Sequence, residues 1–359
     1  MTANMHLSKA ISRRSLLKQS AALIALTEMS GLPAHAESTF TFGNIGGAWG
    51  EGLVTAFAVN GKFTEKTKQT VQQLNAPFSV LAARLLAQPN NPPYSVADLL
   101  DVEHFMVADA GAVQDYDLDI VKNYKDIYPS AMQPARGNLK NWCASFTLPM
   151  IALAYNTKHA SKPTKWRDMW SSKYKGKVAI PDFGYFGQTW LHAVNKEFGG
   201  NESNITPGIE AISELVKKNG AIVLKTAEQA NKAYSTEQIW MMPFWNGRAS
   251  LLQEQGVPLD MAYVPGTIQL HNGIVIAKGT PFVQAANEFV NNALDGNLQL
   301  HLTKTLKYPP ANKTIKLPPE LERYAISSAA LDAVVPLDWP KINENRVASL
   351  DRWNKEILG

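Results

Sequence analysis

From Phe40 onward, short apolar runs alternate with segments whose apolar residues recur every three or four positions. That rhythm predicts strands alternating with helices. Phe40-Thr41-Phe42 predicts a strand ending in Gly43-Asn44-Ile45-Gly46-Gly47, and a helix starts near Trp49 with Leu53, Ala56 and Phe57 on one face. Thr70 to Leu74 predicts a second strand with Asn75-Ala76-Pro77 as its turn, and Ser79 is placed to cap a helix over Val80 to Ala87. After a loop over Pro89 to Pro93, Ser95 to Val102 predicts a third strand with Asp101 near its end. This order of elements implies a parallel sheet with right-handed crossovers.

The second half repeats the rhythm. Ile151 to Tyr155 is almost wholly apolar, as a strand covered on both faces must be. A short helix over Thr164 to Trp170 and a strand over Lys177 to Ile180 lead into Pro181-Asp182. There follow a helix from Gly208 to Asn219 and strands over Ile239 to Trp245, Met261 to Val264 and Gly273 to Ala277. A helix from Pro281 to Leu294 and further helical turns finish the chain. No internal repeat or low-complexity tract interrupts the pattern. With 359 residues, the rhythm predicts two α/β lobes, the chain crossing between them more than once.

Composition changes the picture mainly by exclusion. Apolar residues make up 45% of the chain and charged residues only 18%, which fits two packed cores and excludes a disordered tail protein. The formal charge of +4 is mostly local. Lys9, Arg13, Arg14 and Lys18 against Glu28 put +3 in residues 1–36, leaving +1 for the rest. With no basic stripe and no nucleic-acid motif, no nucleic-acid partner is expected. The lone Cys143 excludes an intramolecular disulfide and any Cys-based metal cluster.

The N-terminal segment reads as an export signal. Ser12-Arg13-Arg14-Ser15-Leu16-Leu17-Lys18 resembles the bacterial twin-arginine signal, Ala21 to Leu32 is a short apolar stretch, and Ala34-His35-Ala36 offers a small-x-small cleavage site before Glu37. Residues 1–36 are therefore expected to be a signal peptide, and no Cys follows to carry a lipid anchor. The stretch is too short and polar to span a bilayer, and no later one reaches about 18 consecutive apolar residues.

Several fragments, each weak alone, resemble in their order and spacing the spermidine/putrescine-type branch of bacterial extracellular solute-binding proteins. They are Gly46-Gly47-Ala48-Trp49, Leu153 to Lys158, Trp166 to Trp170, Lys175 to Asp182, Phe244 to Ala249 and Gly273 to Pro281. The resemblance implies a periplasmic-binding-protein fold, with two mostly parallel sheets flanked by helices and joined by crossover hinge strands. Residues 37–149 would form lobe 1 and residues 150–270 lobe 2, with residues 271–359 returning to lobe 1 and the C-terminal helices. It implies a monomer that closes around a small-molecule solute and delivers it to the membrane permease of an ABC transporter, without cofactor or catalysis.

Open α/β sheets bind ligands at their strand ends, which gives the candidate residues. Gly47 and Trp49 follow the first strand, where a helix start can receive an anion, though a tight turn and a core Trp explain them as well. Ser79 is either a ligand hydroxyl or a helix cap. Trp142, near the first crossover, is either a cleft wall or core, and Arg136 nearby is either an anion partner or surface. In polyamine binders the segment matching Asp182-Phe183-Gly184-Tyr185 carries Asp and, three residues later, Glu; this chain keeps Asp182 but has Tyr185. Trp245 matches an aromatic cleft position, and Arg248 can take a carboxylate or phosphate in two hydrogen bonds or form an ion pair within the lobe. Where polyamine binders show Trp-x-Asp, this chain has Leu270-His271-Asn272. His271 can tune binding with pH or be structural.

A buried dication without carboxylates is strongly disfavoured. The expected solute is therefore neutral, zwitterionic or anionic, of amino-acid or opine type. Should the polyamine reading hold instead, the site would have to use other carboxylates such as Asp101. No nucleophile elbow, metalloprotease, P-loop or dinucleotide motif is present, so no enzyme is expected. Ferric-ion binding is the further alternative, weakened because Tyr185-Phe186 lacks a second Tyr.

Overall fold

The computed structural model describes residues 39–359; the twin-arginine-like segment, the apolar stretch after it and the cleavage site lie outside them. Strand β1 (Phe40–Asn44) pairs in parallel with β2 (Val71–Asn75) on one side and β3 (Val96–Leu99) on the other. Phe40 and Phe42, two apart and so on one face, are fully buried and meet the ring of Phe289 at 5.7 and 4.9 Å. Strand β2 pairs only with β1, and its exposed Gln72 suits an edge. Helices α1 (Gly47–Val54) and α2 (Phe78–Ala87) lie between these strands, with a short helical turn over Phe63–Thr67 after the first.

The third strand is shorter than its apolar run. It stops at Leu99, and Asp101–Asp109 forms helix α3 with Asp101 and Glu103 in the first turn, where carboxylates suit the positive end of the helix dipole. The sheet is completed by β4 (Val113–Gln114), β5 (Ser145–Thr147) and β12 (Asn272–Ala277), the last running antiparallel to all three of its neighbours.

The second sheet centres on β6 (Met150–Asn156), every residue of which is buried. Strands β9 (Met241–Trp245), β10 (Leu259–Ala262) and β11 (Ile268–Gln269) all pair antiparallel with it. Pairing here is more mixed than the βα rhythm suggests. Parallel pairing in this half is confined, among the described residues, to β7 (Ala179–Pro181) with β8 (Ile222–Leu224) and single bridges from Val178 to Met241 and from Thr267 to Val334. Around it stand α4 (Gln188–Glu197), α5 (Thr206–Lys217), α6 (Ala227–Ser235) and α7 (Asn246–Glu254). Helices α8 (Val283–Ala293) and α9 (Gly296–Leu306) return to the first sheet, whereas α10 (Trp339–Glu344) and α11 (Arg346–Arg352) follow in the second half's packing. Trp339, Ile342 and Trp353 belong to the core of the second sheet.

Three stretches connect the two halves. Leu148-Pro149 leads from β5 to β6 and Leu270-His271 from β11 to β12, the two lying side by side through a hydrogen bond from Leu270 N to Pro149 O of 3.0 Å. The third runs from Pro309, whose carbonyl accepts from Leu148 N at 2.9 Å, to Val335, which donates to Thr267 O at 2.8 Å. Among the described residues no helix is long and apolar enough to cross a membrane.

Candidate functional site

Chain direction decides what faces the space between the sheets. At the end of β1 the turn through Gly46-Gly47 takes φ of +73° and +58°, the left-handed region that glycine enters without strain. A Cβ on Gly46 would also stand 2.9 Å from the Asn75 amide. The turn delivers Trp49 in the first turn of α1. Two adjoining depressions of about 280 and 250 Å³ open beside it, sharing Phe78, Leu100, Tyr185 and Trp245 in their walls.

The first is lined also by Trp49, Ala227, Arg248, Asn272 and Tyr308. Its walls are helix beginnings: Trp49 stands in the first turn of α1, Phe78 opens α2, Leu100 precedes α3, Ala227 opens α6 and Trp245 precedes α7. Only α6 is capped by a side chain, that of Thr226; the other four have no side-chain cap. The first-turn N–H groups left free make this space favourable for negative charge; in α7 the Gly247 N–H is already taken, donating to Asn246 Oδ1 at 3.0 Å. Arg248, exposed in the first turn of α7, adds a full positive charge and forms neither hydrogen bond nor salt bridge with any described residue. The ion pair within the lobe, one of its two sequence readings, is not formed. Gly247 makes room beside it, since a Cβ there would stand 2.7 Å from the Tyr308 ring.

Behind this wall lies a carboxylate that sequence reasoning missed. Asp98 on β3 is fully buried and accepts from Trp49 Nε1 at 2.7 Å and from Asn272 Nδ2 at 3.3 Å. Burial pushes its carboxyl up to about 7, against the pull of those two hydrogen bonds. A charged residue inside the apolar run Val96 to Leu100 was the available signal. Trp49 and Asn272 therefore both line the cavity and hold Asp98. The native state binds this proton more tightly than the unfolded chain, so wild-type stability falls as pH rises from about 4 to 7. Asp98→Asn removes that dependence, by roughly 1.4 kcal/mol for each pKa unit. Urea unfolding at pH 5 and pH 8 should show the variant gaining on wild type at the higher pH.

The second depression is lined by Ser79, Phe183, Gly184 and, unforeseen, Glu103, Gln188, Trp339 and Arg346. Ser79 does not cap its helix: α2 begins one residue earlier, with Pro77 at the cap position. Asp182 instead caps the turn after β7, accepting from Gly184 N at 3.2 Å. It and Gly47 line neither depression.

The remaining candidates lie elsewhere. Trp142 is fully buried, donates through Nε1 to Pro134 O at 3.0 Å and packs at an edge against His104 and Phe105. It is core, as large aromatics near strand ends usually are. Trp142→Phe should lower unfolding stability by about 1–3 kcal/mol through lost contacts and the lost hydrogen bond, with solute affinity unchanged by titration. Arg136 pairs with Asp109, its Nη2 2.8 Å from Oδ2. His271 sits at the second crossover, outside both depressions. Its Nδ1 lies 2.7 Å from Asp101 Oδ1 and its Nε2 3.0 Å from Ser130 O, while its backbone N donates to Asp101 Oδ2 at 2.7 Å. Both ring nitrogens face acceptors, so the ring is doubly protonated there. Burial opposes that charge, but Asp101 outweighs it and raises the His271 pKa; the His271 charge in turn holds Asp101 below the usual carboxylate range.

Gln133 Nε2 extends the network, reaching Asp101 Oδ1 at 2.8 Å and His104 Nδ1 at 3.2 Å. His104 Nε2 faces Gly273 O at 3.2 Å and Cys143 Sγ at 3.3 Å. Burial takes His104 down to about 4 and raises the Cys143 thiol well above its usual value. Among the described residues no group of three or more His, Cys, Asp or Glu is placed to hold a metal ion.

Comparison with known proteins places the chain in a family. Residues 59–329 match the model of the bacterial extracellular solute-binding proteins. The spermidine/putrescine-binding periplasmic protein of Escherichia coli is 20% identical over 206 residues, 56% of this chain and 59% of the relative; the match thus spans less than two thirds of that relative's length. A candidate 2-aminoethylphosphonate-binding periplasmic protein of Salmonella typhimurium is 22% identical over 340 residues, covering 86% of this chain and 93% of the relative. The fold is shared with an ABC transporter protein of Clostridium perfringens (TM-score 0.74, 17% identity, 89% of this chain and 100% of that one). It is shared also with a GABA receptor (0.72, 17%, 88% and 96%) and with the Agrobacterium tumefaciens periplasmic binding protein AgtB in complex with agropinic acid (0.68, 16%, 90% and 100%).

Proposed function

The chain belongs to the bacterial extracellular solute-binding proteins, and from that premise we propose that it is the periplasmic substrate-binding component of an ABC importer, taking a small organic solute that carries an anionic group. The observation that carries this reading is Arg248, an unpaired guanidinium in a cleft bordered by four uncapped helix N-termini. An anion there meets a fork of donors and several backbone N–H groups at once. The relatives' names point the same way: a phosphonate, GABA and agropinic acid all carry acidic groups. The solute bridges two lobes that swing together about the crossovers, and the closed form docks on the permease; no chemical step follows. Export through the N-terminal signal and a monomeric state complete the reading.

A polyamine is the second reading, favoured by the E. coli relative and by the buried acids Asp98, Asp101 and Glu103. Two of them are already engaged, Asp98 by Trp49 and Asn272, Asp101 by His271 and Gln133. A thermal-shift screen decides between the readings. A solute at about 100 times its Kd stabilises the fold by about 2.7 kcal/mol. The expected result is a shift with 2-aminoethylphosphonate, 4-aminobutyrate or an opine and none with putrescine or spermidine. A shift with the polyamines alone would overturn the anionic reading.

A further inference from the structure

The second depression has a different chemistry from the first. Phe78, Phe183, Tyr185, Phe186, Trp245 and Trp339 contribute six aromatic rings to its walls. Among them stands Glu103, only 8% exposed, which forms no salt bridge and takes no hydrogen bond on its carboxylate from the side chain of any other described residue. It is the one acid lining the two depressions that the protein leaves unspent, since Asp101 is taken by His271 and Gln133. Arg346 stands in the same wall, and its field favours the ionised carboxylate without forming a salt bridge to it. Burial nonetheless raises the Glu103 carboxyl to about 7, so a cation placed beside it would favour the ionised form that burial disfavours.

Ring faces are electron-rich and attract cations, and a buried carboxylate repels anions and pairs with an ammonium group. In the same lining the Gln188 amide, 6% exposed, has no partner for Nε2 among the described residues and can turn its oxygen toward a bound N–H. We infer that the aromatic depression around Glu103 receives an ammonium group, so that the solute is bipolar, its anionic end at Arg248 and its cationic end at Glu103. The inference rests on the reading of Arg248 as the anion partner and adds to it the other end of the solute.

The test compares each of two bipolar probes with the same anion lacking the amine: 4-aminobutyrate with butyrate, and 2-aminoethylphosphonate with ethylphosphonate. Calorimetric titration of the full protein should show wild type preferring the amine in each pair roughly 10- to 100-fold. Glu103→Gln should bring that ratio close to one, a change that general damage to the fold does not produce because it weakens both members alike. Arg248→Gln should weaken both members and keep the ratio. If the aromatic rings carry the cation, 4-(trimethylammonio)butyrate binds at least as well as 4-aminobutyrate. A wild-type ratio near one, with the anions still bound, overturns the ammonium site and leaves the anionic reading standing. A ratio that survives Glu103→Gln overturns the role of Glu103. Failure of wild type to bind any of the probes overturns both readings.

Discussion

Arg248→Gln weakens binding of an anionic solute roughly 10- to 200-fold, with the unfolding midpoint of the free protein almost unchanged. The size follows from removing a charged hydrogen-bond donor, a loss of about 1.5–3 kcal/mol. The unchanged midpoint follows from the exposed side chain, which forms no hydrogen bond or salt bridge with any described residue. Arg248→Lys should restore only part of the affinity, because a point charge on a flexible stem lacks the two-pronged fork. Calorimetry with 2-aminoethylphosphonate measures all three proteins. Equal affinity in wild type and Arg248→Gln would remove the guanidinium from the site, leaving the helix N-termini alone to hold the anion.

Asp101→Ala has the largest expected effect on stability, about 3–5 kcal/mol, because it removes one partner of a buried pair. It strands the His271 ring, the His271 backbone N–H and the Gln133 amide together. The pH profile identifies the pair more sharply. His271 has a raised pKa, so its contribution is complete below its ordinary value near 6.5 and fades as pH climbs through the raised one. Asp101 has a lowered pKa, so its contribution is complete above the ordinary carboxylate value near 4 and fades as pH falls through the lowered one. Between about pH 4 and 6.5 both are present. His271→Gln should therefore cost more stability at pH 5.5 than at pH 9, measured by urea unfolding of both proteins. An equal cost at the two values would mean that His271 is neutral throughout and only hydrogen-bonded.

Much of the fold was legible because burial leaves periodic traces. Phe40-Thr41-Phe42, the apolar run at Ile151 and the run from Gly273 to Ala277 each placed a strand where the structure has one. Pairing direction was not legible. Strand β6 is equally apolar with parallel or antiparallel neighbours, since its coverage on both faces sets its composition. The boundary after Leu99 was misread for a related reason: Leu100 to Val107 suits a buried strand or a helix, and the acids in its first turn decide for the helix.

Among candidate site residues, Trp49, Ser79, Phe183, Gly184, Tyr185, Trp245, Arg248 and Asn272 line the two depressions. All follow strand ends or open turns and helices, which a chain pattern reveals. Glu103, Trp339 and Arg346 were missed because the first follows directly on a helix start that was read as the end of a strand, and the others lie in a stretch without clear periodicity. They reach the cleft only because the C-terminal helices pack on the second core.

The burial of the single thiol has a practical consequence. Cys143 is wholly enclosed, and its ionisation is suppressed. Reagents that attack thiolates will pass it by in the native protein, so wild type serves as its own cysteine-free background. Val59, on the first half, is 67% exposed, and the Lys218 side chain, on the second, is 76% exposed. Spin labels on Val59→Cys and Lys218→Cys would turn the molecule into a ruler between its halves. A distance that changes when solute is added would record their relative motion directly, without any mutation in the cleft.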